Sequence, residues 1–343
     1  MQNDNKLQKM KIGITGASGF MGVNILKLLK GNKDYSLKLL LREEPSYMRE
    51  FKYDKVMGDL ADKNALQEFC TDVDVIIHLA AAISIESKNN DLVMETNVIG
   101  TKNLVEAAKK AGVRRLVHFS SIHALQHQPL DVPMDENRPL ALNSILEYER
   151  TKAMGEEYVM KNNSETFQVI ILNPTAIIGP NDYKPSLIGL MVQKIVVGKL
   201  PALVHGGYDW TDVRDIAKAA IVAITQGKPG QRYILSGTWL PISELALLIG
   251  QTAGKQSKIP VIPIWIANMG VPFIKLYASI TKTQTLYTYQ SLKILQEGNR
   301  NIQSNKAKAD LGYEPRELEE TIKDTVAWFK GDFNKTATSN TAL

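Results

Sequence analysis

Cysteine is almost absent from this chain, which has one in 343 residues. A lone Cys70 excludes an internal disulfide. The segment around it has the composition of a helix. We therefore predict that Cys70 is a small buried side chain in a reducing compartment rather than a reactive thiol.

Long apolar runs are also missing. The longest uncharged run, residues 259–274, contains three prolines and is shorter than the about 20 residues that a membrane span needs. We expect it to line an apolar pocket in preference to touching a membrane surface. The polar N-terminus has no apolar signal-peptide segment, so we expect a cytoplasmic protein without a membrane span.

Charge of one sign is not concentrated along the chain. The formal net charge of +5 is spread out, and the densest basic cluster, residues 109–115, lies where a helix is expected to end. Cations are favourable there because of the helix dipole, so the cluster does not indicate nucleic-acid binding.

The first half of the sequence alternates short apolar strands with longer amphipathic helices. Continuous apolar strands indicate a parallel sheet that is covered on both faces. We predict this sheet domain over residues 10–173, with a strand near 231–236 returning to it. A smaller substrate-binding region is expected mainly over 174–330, and residues 1–9 and 331–343 are expected to be tails.

Three glycines, Gly16, Gly19 and Gly22, follow the first predicted strand and open a helix. Glycine permits the tight turn, and the missing side chains let backbone N–H groups reach a pyrophosphate at the helix N-terminus. This setting favours dinucleotide binding over a purely structural turn. The contacts predicted from this turn are Gly16, Ser18, Gly19, Phe20, Met21 and Gly22.

Arg42 directly follows the second apolar strand, at the position that selects between dinucleotides. A cation there binds the 2′-phosphate of NADP, whereas an acidic side chain binds the ribose of NAD. Arg42 favours NADP, but Glu43 and Glu44 come next, and a one-residue shift of the strand end would favour NAD. Asp59 and Leu60, after the third strand, are predicted on the adenine side.

Tyr148 and Lys152 lie four residues apart in a segment of good helix formers, so both side chains should project from one face. Such a pair arises easily by chance in a chain with 12 tyrosines, and Tyr289 with Lys293 is a second example. The pair alone therefore does not show whether Tyr148 and Lys152 belong to an active site. The motifs around the pair have to answer that question.

The motifs around Tyr148 come in a recognisable order. They are Thr15-Gly16-x-x-Gly19-x-x-Gly22, "HLAA" from His78, Asn97 in "TNVIGT", Ser120-Ser121 and Tyr148-x-x-x-Lys152. Together they resemble the extended short-chain dehydrogenase/reductase superfamily from about residue 11 to 330. The resemblance implies an α/β fold, a Rossmann-like doubly wound parallel sheet with a smaller C-terminal substrate-binding region.

The resemblance also implies catalytic roles. Tyr148 would be the acid/base at the substrate oxygen while a hydride moves to or from the nicotinamide, and Ser121 would hydrogen-bond that oxygen. Lys152 would hold the nicotinamide ribose and lower the pKa of Tyr148, which has to fall by about 3 from about 10 to serve near neutral pH. Asn97 would support a proton relay.

Two sequence segments differ from those of the sugar-nucleotide epimerases, and they narrow the range of expected substrates. "SSIHAL" and "NPTAIIGP" stand where those enzymes have other signatures, and the second resembles dihydroflavonol reductases and 3β-hydroxysteroid dehydrogenases. The resemblance then places these residues near the cofactor: Leu79, Ala80, Ala81, Pro174, Thr175 and Ile177. The residues that we predict at the substrate are Ser84, His123, Asn181, Tyr183 and Trp210, with an ordinary loop histidine as the equal alternative for His123.

Other polar residues are expected to have structural roles. His78 and His118 fall inside strands and should be packed, and no metal-ligand spacing joins the five histidines. Asp215 is predicted to cap the helix that follows it.

The sequence thus predicts an NAD(P)-dependent oxidoreductase that interconverts a carbonyl and a secondary alcohol on a small, fairly apolar substrate. Two alternatives stay open. One is a nucleotide-sugar epimerase or dehydratase with tightly bound NAD, and the other is a dinucleotide-binding sensor or scaffold without chemistry. The resemblance also allows a homodimer, because the helices that bear Lys102 and Tyr148 commonly pair between subunits in this superfamily.

Overall fold

The computed structural model describes residues 9–82, 90–255, 259–281, 295 and 298–331. Within these ranges the strands are β1 Met10–Thr15, β2 Tyr35–Leu41, β3 Asp54–Met57, β4 Val75–His78, β5 Arg115–Phe119, β6 Gln168–Pro174, β7 Ala176–Ile178, β8 Leu203–Val204, β9 Gly207–Asp212, β10 Gln231–Leu235, β11 Thr238–Pro241 and β12 Val261–Ile262. The helices are α1 Phe20–Leu29, α2 Lys63–Cys70, α3 Asn90–Met94, α4 Thr101–Lys110, α5 Glu147–Lys161, α6 Leu187–Val196, α7 Val213–Gln226, α8 Ile242–Thr252, α9 Ile264–Thr281, α10 Asn305–Leu311 and α11 Leu318–Lys330.

A seven-stranded parallel sheet forms the centre of the fold, with the strand order β3-β2-β1-β4-β5-β6-β10. Helices α1, α7 and α10 pack on one face, and α2, α4 and α5 pack on the other. Its strands are apolar along their length because both faces are covered. This confirms the predicted doubly wound α/β class.

The strand order reverses between β1 and β4, which are neighbours in the sheet. At such a switch point the connections leave the carboxyl ends of the two strands in opposite directions and open a crevice between them. The glycine turn follows β1 and the "HLAA" segment continues from β4, so both predicted cofactor segments border this crevice.

A smaller unit packs beside the sheet. It contains the three-stranded sheet β11-β9-β7, the two-stranded sheet β12-β8, and helices α6, α8 and α11 around a second apolar core. Among the residues that the structure describes, no helix is both long and apolar enough to cross a lipid bilayer.

The predicted apolar run contributes both to this core and to the surface. Ala267 and Val271 of α9 are buried in the second core. The exposed residues around them include Trp265 and Met269, at 63% and 65% exposure. The beginning of α9 therefore turns an apolar face outward instead of serving only as the lining of a pocket.

Two structural predictions made for single residues have different outcomes. Cys70 is buried in α2, and this burial raises the pKa of its thiol to about 12, which agrees with an inert core residue. Asp215 does not cap α7. The cap is Asp212, whose carboxylate accepts from the backbone N–H of Arg214, while Asp215 lies in the first turn and pairs with Arg316.

Candidate active site

The glycine turn is built for close backbone approach. Gly16 has φ +73°, and a Cβ there would lie 2.7 Å from the backbone nitrogen of Ala80 after β4. A Cβ on Gly22 would lie 2.5 Å from the carbonyl oxygen of Ala17. Side chains at either position would push the turn away from the crevice.

Helix α1 begins at this turn, and no side chain in the described part of the chain caps its first N–H groups. Gly19 is the N-cap residue, and the helix has neither a side-chain cap nor an acidic residue in its first turn. Free N–H groups and the positive end of the helix dipole are suited to a phosphate anion. The residues at this end of β1 thus fit a dinucleotide pyrophosphate.

The neighbouring turn residues offer mainly their backbone. The carbonyl oxygen of Ser18 accepts a hydrogen bond from the hydroxyl of Tyr47 at 2.9 Å. Met21 is buried in the first core, and Phe20 is partly buried against it. The side chains predicted here as cofactor contacts therefore also hold the turn on the sheet.

Three charged residues, Arg42, Glu43 and Glu44, follow β2. The two carboxylates form ion pairs with lysines. Glu43 pairs with Lys184, and Glu44 pairs with Lys55. Arg42 is exposed and makes no hydrogen bond or ion pair with any residue in the described part of the chain. The cation is thus available for an anion, whereas both acidic alternatives are already paired.

Asp59 and Leu60 follow β3. One carboxylate oxygen of Asp59 accepts from the backbone N–H groups of Ala61 and Asp62, which makes the turn before α2. Leu60 is buried against Gly100. A Cβ added to Gly100 would lie 2.6 Å from the Cβ of Leu60. Asp59 and Leu60 therefore fix the turn between β3 and α2, at the edge of the crevice.

Asn97 holds the segment that follows β4. Its side-chain oxygen accepts from the backbone N–H of Ala82 at 2.8 Å, and its amide donates to the carbonyl of Ala82 at 2.9 Å. It lies in the π-helical turn Glu95–Gly100 and is buried. Asn97 was predicted to support a relay, and the structure gives its side chain this anchoring contact.

Leu79, Ala80 and Ala81 precede the anchored residue, and Ser84 lies outside the described residues.

Ser121 and Tyr148 come together at the end of β5. The Ser121 hydroxyl interacts with the Tyr148 side chain, and it accepts a hydrogen bond from the backbone N–H of His123 at 3.2 Å. Burial raises the pKa of Tyr148, and the nearby Ser121 hydroxyl offsets this increase only in part. The predicted acidic phenol is therefore not what the chain's own groups produce: Tyr148 is held in its protonated form.

Lys152 lies one helical turn beyond Tyr148 and is 7% exposed. Its ammonium donates to the carbonyl oxygen of Phe119 at 3.0 Å. Burial lowers the pKa of Lys152 to about 8, and the carboxylate of Glu156 opposes the change. Lys152 is thus a buried cation at neutral pH that loses its charge at mildly alkaline pH.

A buried network behind the site was missed from the sequence. The amide of Asn173 donates to the carbonyl of Ser121 at 3.0 Å and to the carboxylate of Glu156 at 2.8 Å. Arg232 of β10 pairs with the other oxygen of that carboxylate at 2.7 Å. Glu156 lies four residues after Lys152 on α5. This spacing was the one local feature of the sequence that indicated the network.

Replacing Glu156 by Gln should destabilise the fold by about 3 kcal/mol, because Arg232 is then left without its carboxylate in a mostly buried place. The same change removes the charge that supports the Lys152 ammonium, so the alkaline limit of activity should move to lower pH. Urea unfolding and a pH–rate profile measure both effects. The matched control is Glu157→Gln, the next residue, whose partner Lys161 is exposed. Equal unfolding midpoints for the two variants would contradict the network's role.

The segment after β6 is more buried than the sequence indicated. The hydroxyl of Thr175 donates to Asp209 and also contacts the hydroxyl of Thr211, both at 2.7 Å. Pro174 is buried, and Ile177 packs against the first core. The Thr175 side chain is therefore committed to this internal network, which leaves backbone atoms as its means of contacting a cofactor.

Three predicted substrate residues lie in other contacts. The Asn181 amide donates to the Asn24 side chain of α1 at 2.9 Å. The Tyr183 ring stacks on Tyr47 with centroids 4.4 Å apart. Trp210 is 2% exposed inside the second core, so it is a packing residue and the prediction of a pocket wall is wrong for it. Asn181 and Tyr183 join the smaller unit to α1 and its neighbours.

Four of the five histidines fall into two groups. His78 is buried between the hydroxyls of Thr15 and Thr101, at 2.7 and 3.0 Å, and burial lowers its pKa to about 3. His118 is buried beside it, so both are packed, as predicted.

The other group lies beside Tyr148. Ligand atoms of His123, His127 and Glu149 all lie within 4.8 Å of one another, close enough for a metal ion, although no spacing in the sequence predicted this. The backbone N–H of Asn299 points at Nδ1 of His127, at 3.4 Å. A metal ion bound to Nε2 of His127 would require a proton on Nδ1 of the same ring. That N–H would point at the backbone N–H of Asn299, so that two donors would face each other. The cluster is therefore better described as hydrogen-bonded imidazoles.

Known proteins resemble this chain in sequence and in fold. A sequence profile of the NAD dependent epimerase/dehydratase family matches residues 12–236. Sterol demethylase protein B of Methylococcus capsulatus is 28% identical over 321 residues, which are 92% of this chain and 97% of that protein. The 4-hydroxy-2-methyl-3-oxo-4-farnesyl-3,4-dihydroquinoline-1-oxide ketoreductase of Stigmatella aurantiaca is 26% identical over 316 residues, 90% and 92% of the two chains. The crystal structure of gox2253 matches with TM-score 0.80 and 29% identity, covering 94% of this chain and 98% of that chain.

Proposed function

Because the chain belongs to the NAD-dependent epimerase/dehydratase family and is an NAD(P)-dependent oxidoreductase, we propose that it reduces a ketone on an apolar, ring-containing molecule with NADPH. The observation that carries the proposal is that the Ser121 hydroxyl lies beside the Tyr148 phenol at the carboxyl end of β5. A carbonyl oxygen placed there meets two hydroxyl donors beside the switch-point crevice.

The protonation state of the site favours reduction. The cofactor supplies the hydride when it is bound. Tyr148 holds its proton in the free protein, since burial raises its pKa, and so it starts as the acid that a newly formed alkoxide needs. An ammonium has three N–H donors, and Lys152 uses one on the carbonyl of Phe119, so two remain for ribose hydroxyls.

NADP preference rests on Arg42. Arg42→Ala should weaken NADPH binding about tenfold to hundredfold, the effect of one charge-assisted hydrogen-bonded pair, and leave NADH binding nearly unchanged. Titrations of both coenzymes measure the ratio of dissociation constants. The matched control is Arg49→Ala, which removes the same charge from the exposed turn Ser46–Glu50. An unchanged ratio in Arg42→Ala would remove this residue from the cofactor site.

An apolar ring-containing substrate is supported by the relatives and by composition. The names of the two curated relatives refer to a sterol and to a farnesylated dihydroquinoline oxide. The smaller unit of this chain also has an exposed apolar face at the start of α9, which includes Trp265 and Met269. Such a face suits an apolar molecule better than a nucleotide sugar, which is charged and hydrophilic.

The test is to mix the purified protein with NADPH and a panel of apolar ketones and to follow the loss of NADPH absorbance. Reduction of at least one ketone, with alcohol formed in equal amount, supports the proposal. An epimerase or dehydratase would instead retain NAD through purification and consume no added coenzyme. A sensor or scaffold would bind coenzyme and turn over neither class of substrate.

A further inference from the structure

The backbone of His123 is held by the same serine whose hydroxyl lies beside the Tyr148 phenol. It lies in the 3-10 turn Ile122–Ala124 that follows Ser121, and the Ser121 hydroxyl caps this turn by accepting from the His123 backbone N–H. The imidazole ring packs edge-on against the Tyr148 ring, with centroids 6.3 Å apart. Because one side chain sets both positions, the imidazole has a defined place beside the reacting oxygen.

The hydrogen bonds around this ring determine which nitrogen carries its proton. The backbone N–H of Asn299 donates to Nδ1 of His127, so the proton of neutral His127 is on Nε2. That Nε2 lies 3.2 Å from Nδ1 of His123 and donates to it. With these donors neutral His123 carries its own proton on Nε2, and the Glu149 carboxylate, 3.7 Å from Nδ1, is the group that competes for a proton on Nδ1.

The donor end of this chain of bonds is anchored firmly. Asn299 is 2% exposed, and its side-chain oxygen accepts from the backbone N–H of Asn301 at 2.8 Å. Its amide donates to the carbonyl of Val132 at 2.9 Å. Burial lowers the pKa of His127 to about 3, and His123 adds to the effect, so His127 stays neutral.

Nε2 of His123 is left open. It makes no hydrogen bond with any residue that the structure describes, and it is not among the buried atoms that lack a partner. The side chain is 19% exposed. A fixed N–H donor thus faces accessible space at the edge of the Tyr148 ring.

We propose that Nε2–H of His123 is a substrate contact that takes a neutral acceptor oxygen, a hydroxyl or carbonyl, on the carbon next to the reacting ketone. This deepens the proposed function and rests on it. A carboxylate is disfavoured as the acceptor, because Glu149 lies 3.7 Å from Nδ1 of the same ring and its charge repels a second anion. His123 is then the residue that selects hydroxyketones over simple ketones.

The tautomer is tested first, on the unmodified protein. Protein labelled with ¹⁵N-histidine gives long-range ¹H–¹⁵N correlations that distinguish Nδ1–H from Nε2–H, and the spectrum of His123→Gln assigns the His123 signals. The expected result is Nε2–H for both His123 and His127. A proton on Nδ1 of His123 would overturn the proposal whatever the enzyme turns out to catalyse.

Substrate contact is tested with benzoin and deoxybenzoin, two diphenyl ketones that differ by one hydroxyl next to the carbonyl. Benzoin should shift the His123 Nε2 signal in the presence of NADP⁺, and deoxybenzoin should not. This measurement needs no turnover, so it separates failure of the contact from failure of the proposed reduction. Equal shifts with both ketones, or no binding of either, would refute the contact.

Kinetics supply the matched variants. His123→Phe should lower kcat/KM for benzoin about tenfold, the effect of one hydrogen bond, and leave that for deoxybenzoin nearly unchanged. His123→Gln keeps an N–H donor and should recover most of the benzoin activity. A loss that is equal for the two ketones would mean that His123 only packs against Tyr148.

Discussion

Tyr148→Phe is expected to reduce ketone reduction by NADPH at least about a thousandfold, within the range that general acid catalysis supplies. The phenol is the group that the chain keeps protonated next to Ser121, because burial raises its pKa. Without it, an alkoxide formed at the carbonyl oxygen has only the serine hydroxyl beside it, whose proton is far less acidic. Coenzyme affinity should hardly change, since the glycine turn and Lys152 are untouched.

Single-turnover kinetics and NADPH titration separate these two effects. The control is Tyr158→Phe, on the same helix, where the ring packs against the ammonium of Lys102 away from Ser121. That variant should keep full activity. Equal turnover in Tyr148→Phe and the unmodified protein would remove Tyr148 from the chemistry and with it the main support for the proposed function.

The sequence predicted the main sheet because its signals are local. Strands such as β1 and β5 are continuous apolar runs, and a glycine turn between a strand and a helix has few structural alternatives. The position of Asp212 rather than Asp215 at the start of α7 illustrates the limit of such signals. Several acidic residues fit a cap, and only the backbone geometry selects one.

The candidate site was predictable where residues share one helix or one turn, as Tyr148 and Lys152 do. The network of Asn173, Glu156 and Arg232 was not, since β10 joins it from 76 positions further along the chain. The burial of Tyr148 was not predictable either. Sequence spacing indicated the nearby ammonium but gave no measure of burial, and in the free protein burial raises the Tyr148 pKa.

The second large effect is expected at Lys152, where function and stability should move in opposite directions. Burial lowers the pKa of this ammonium from 10.5 to about 8, so holding it charged in the fold at pH 7 costs about 3 kcal/mol. Lys152→Met removes that cost and leaves the carbonyl of Phe119 without its donor, a loss of about 1 kcal/mol. The variant should thus be about 2 kcal/mol more stable and nearly inactive.

The pH dependence identifies the cause. Because the folded pKa is the lower one, the penalty is complete below pH about 8 and disappears as the pH rises toward the unfolded value of 10.5. Urea unfolding should therefore show the largest gain for Lys152→Met at pH 7 and a shrinking one at pH 9 and above. Lys161→Met, which removes an exposed ammonium from the same helix, should change neither stability nor activity. A gain that stays constant across this range would show that better packing of methionine, and not the buried charge, produces the stabilisation.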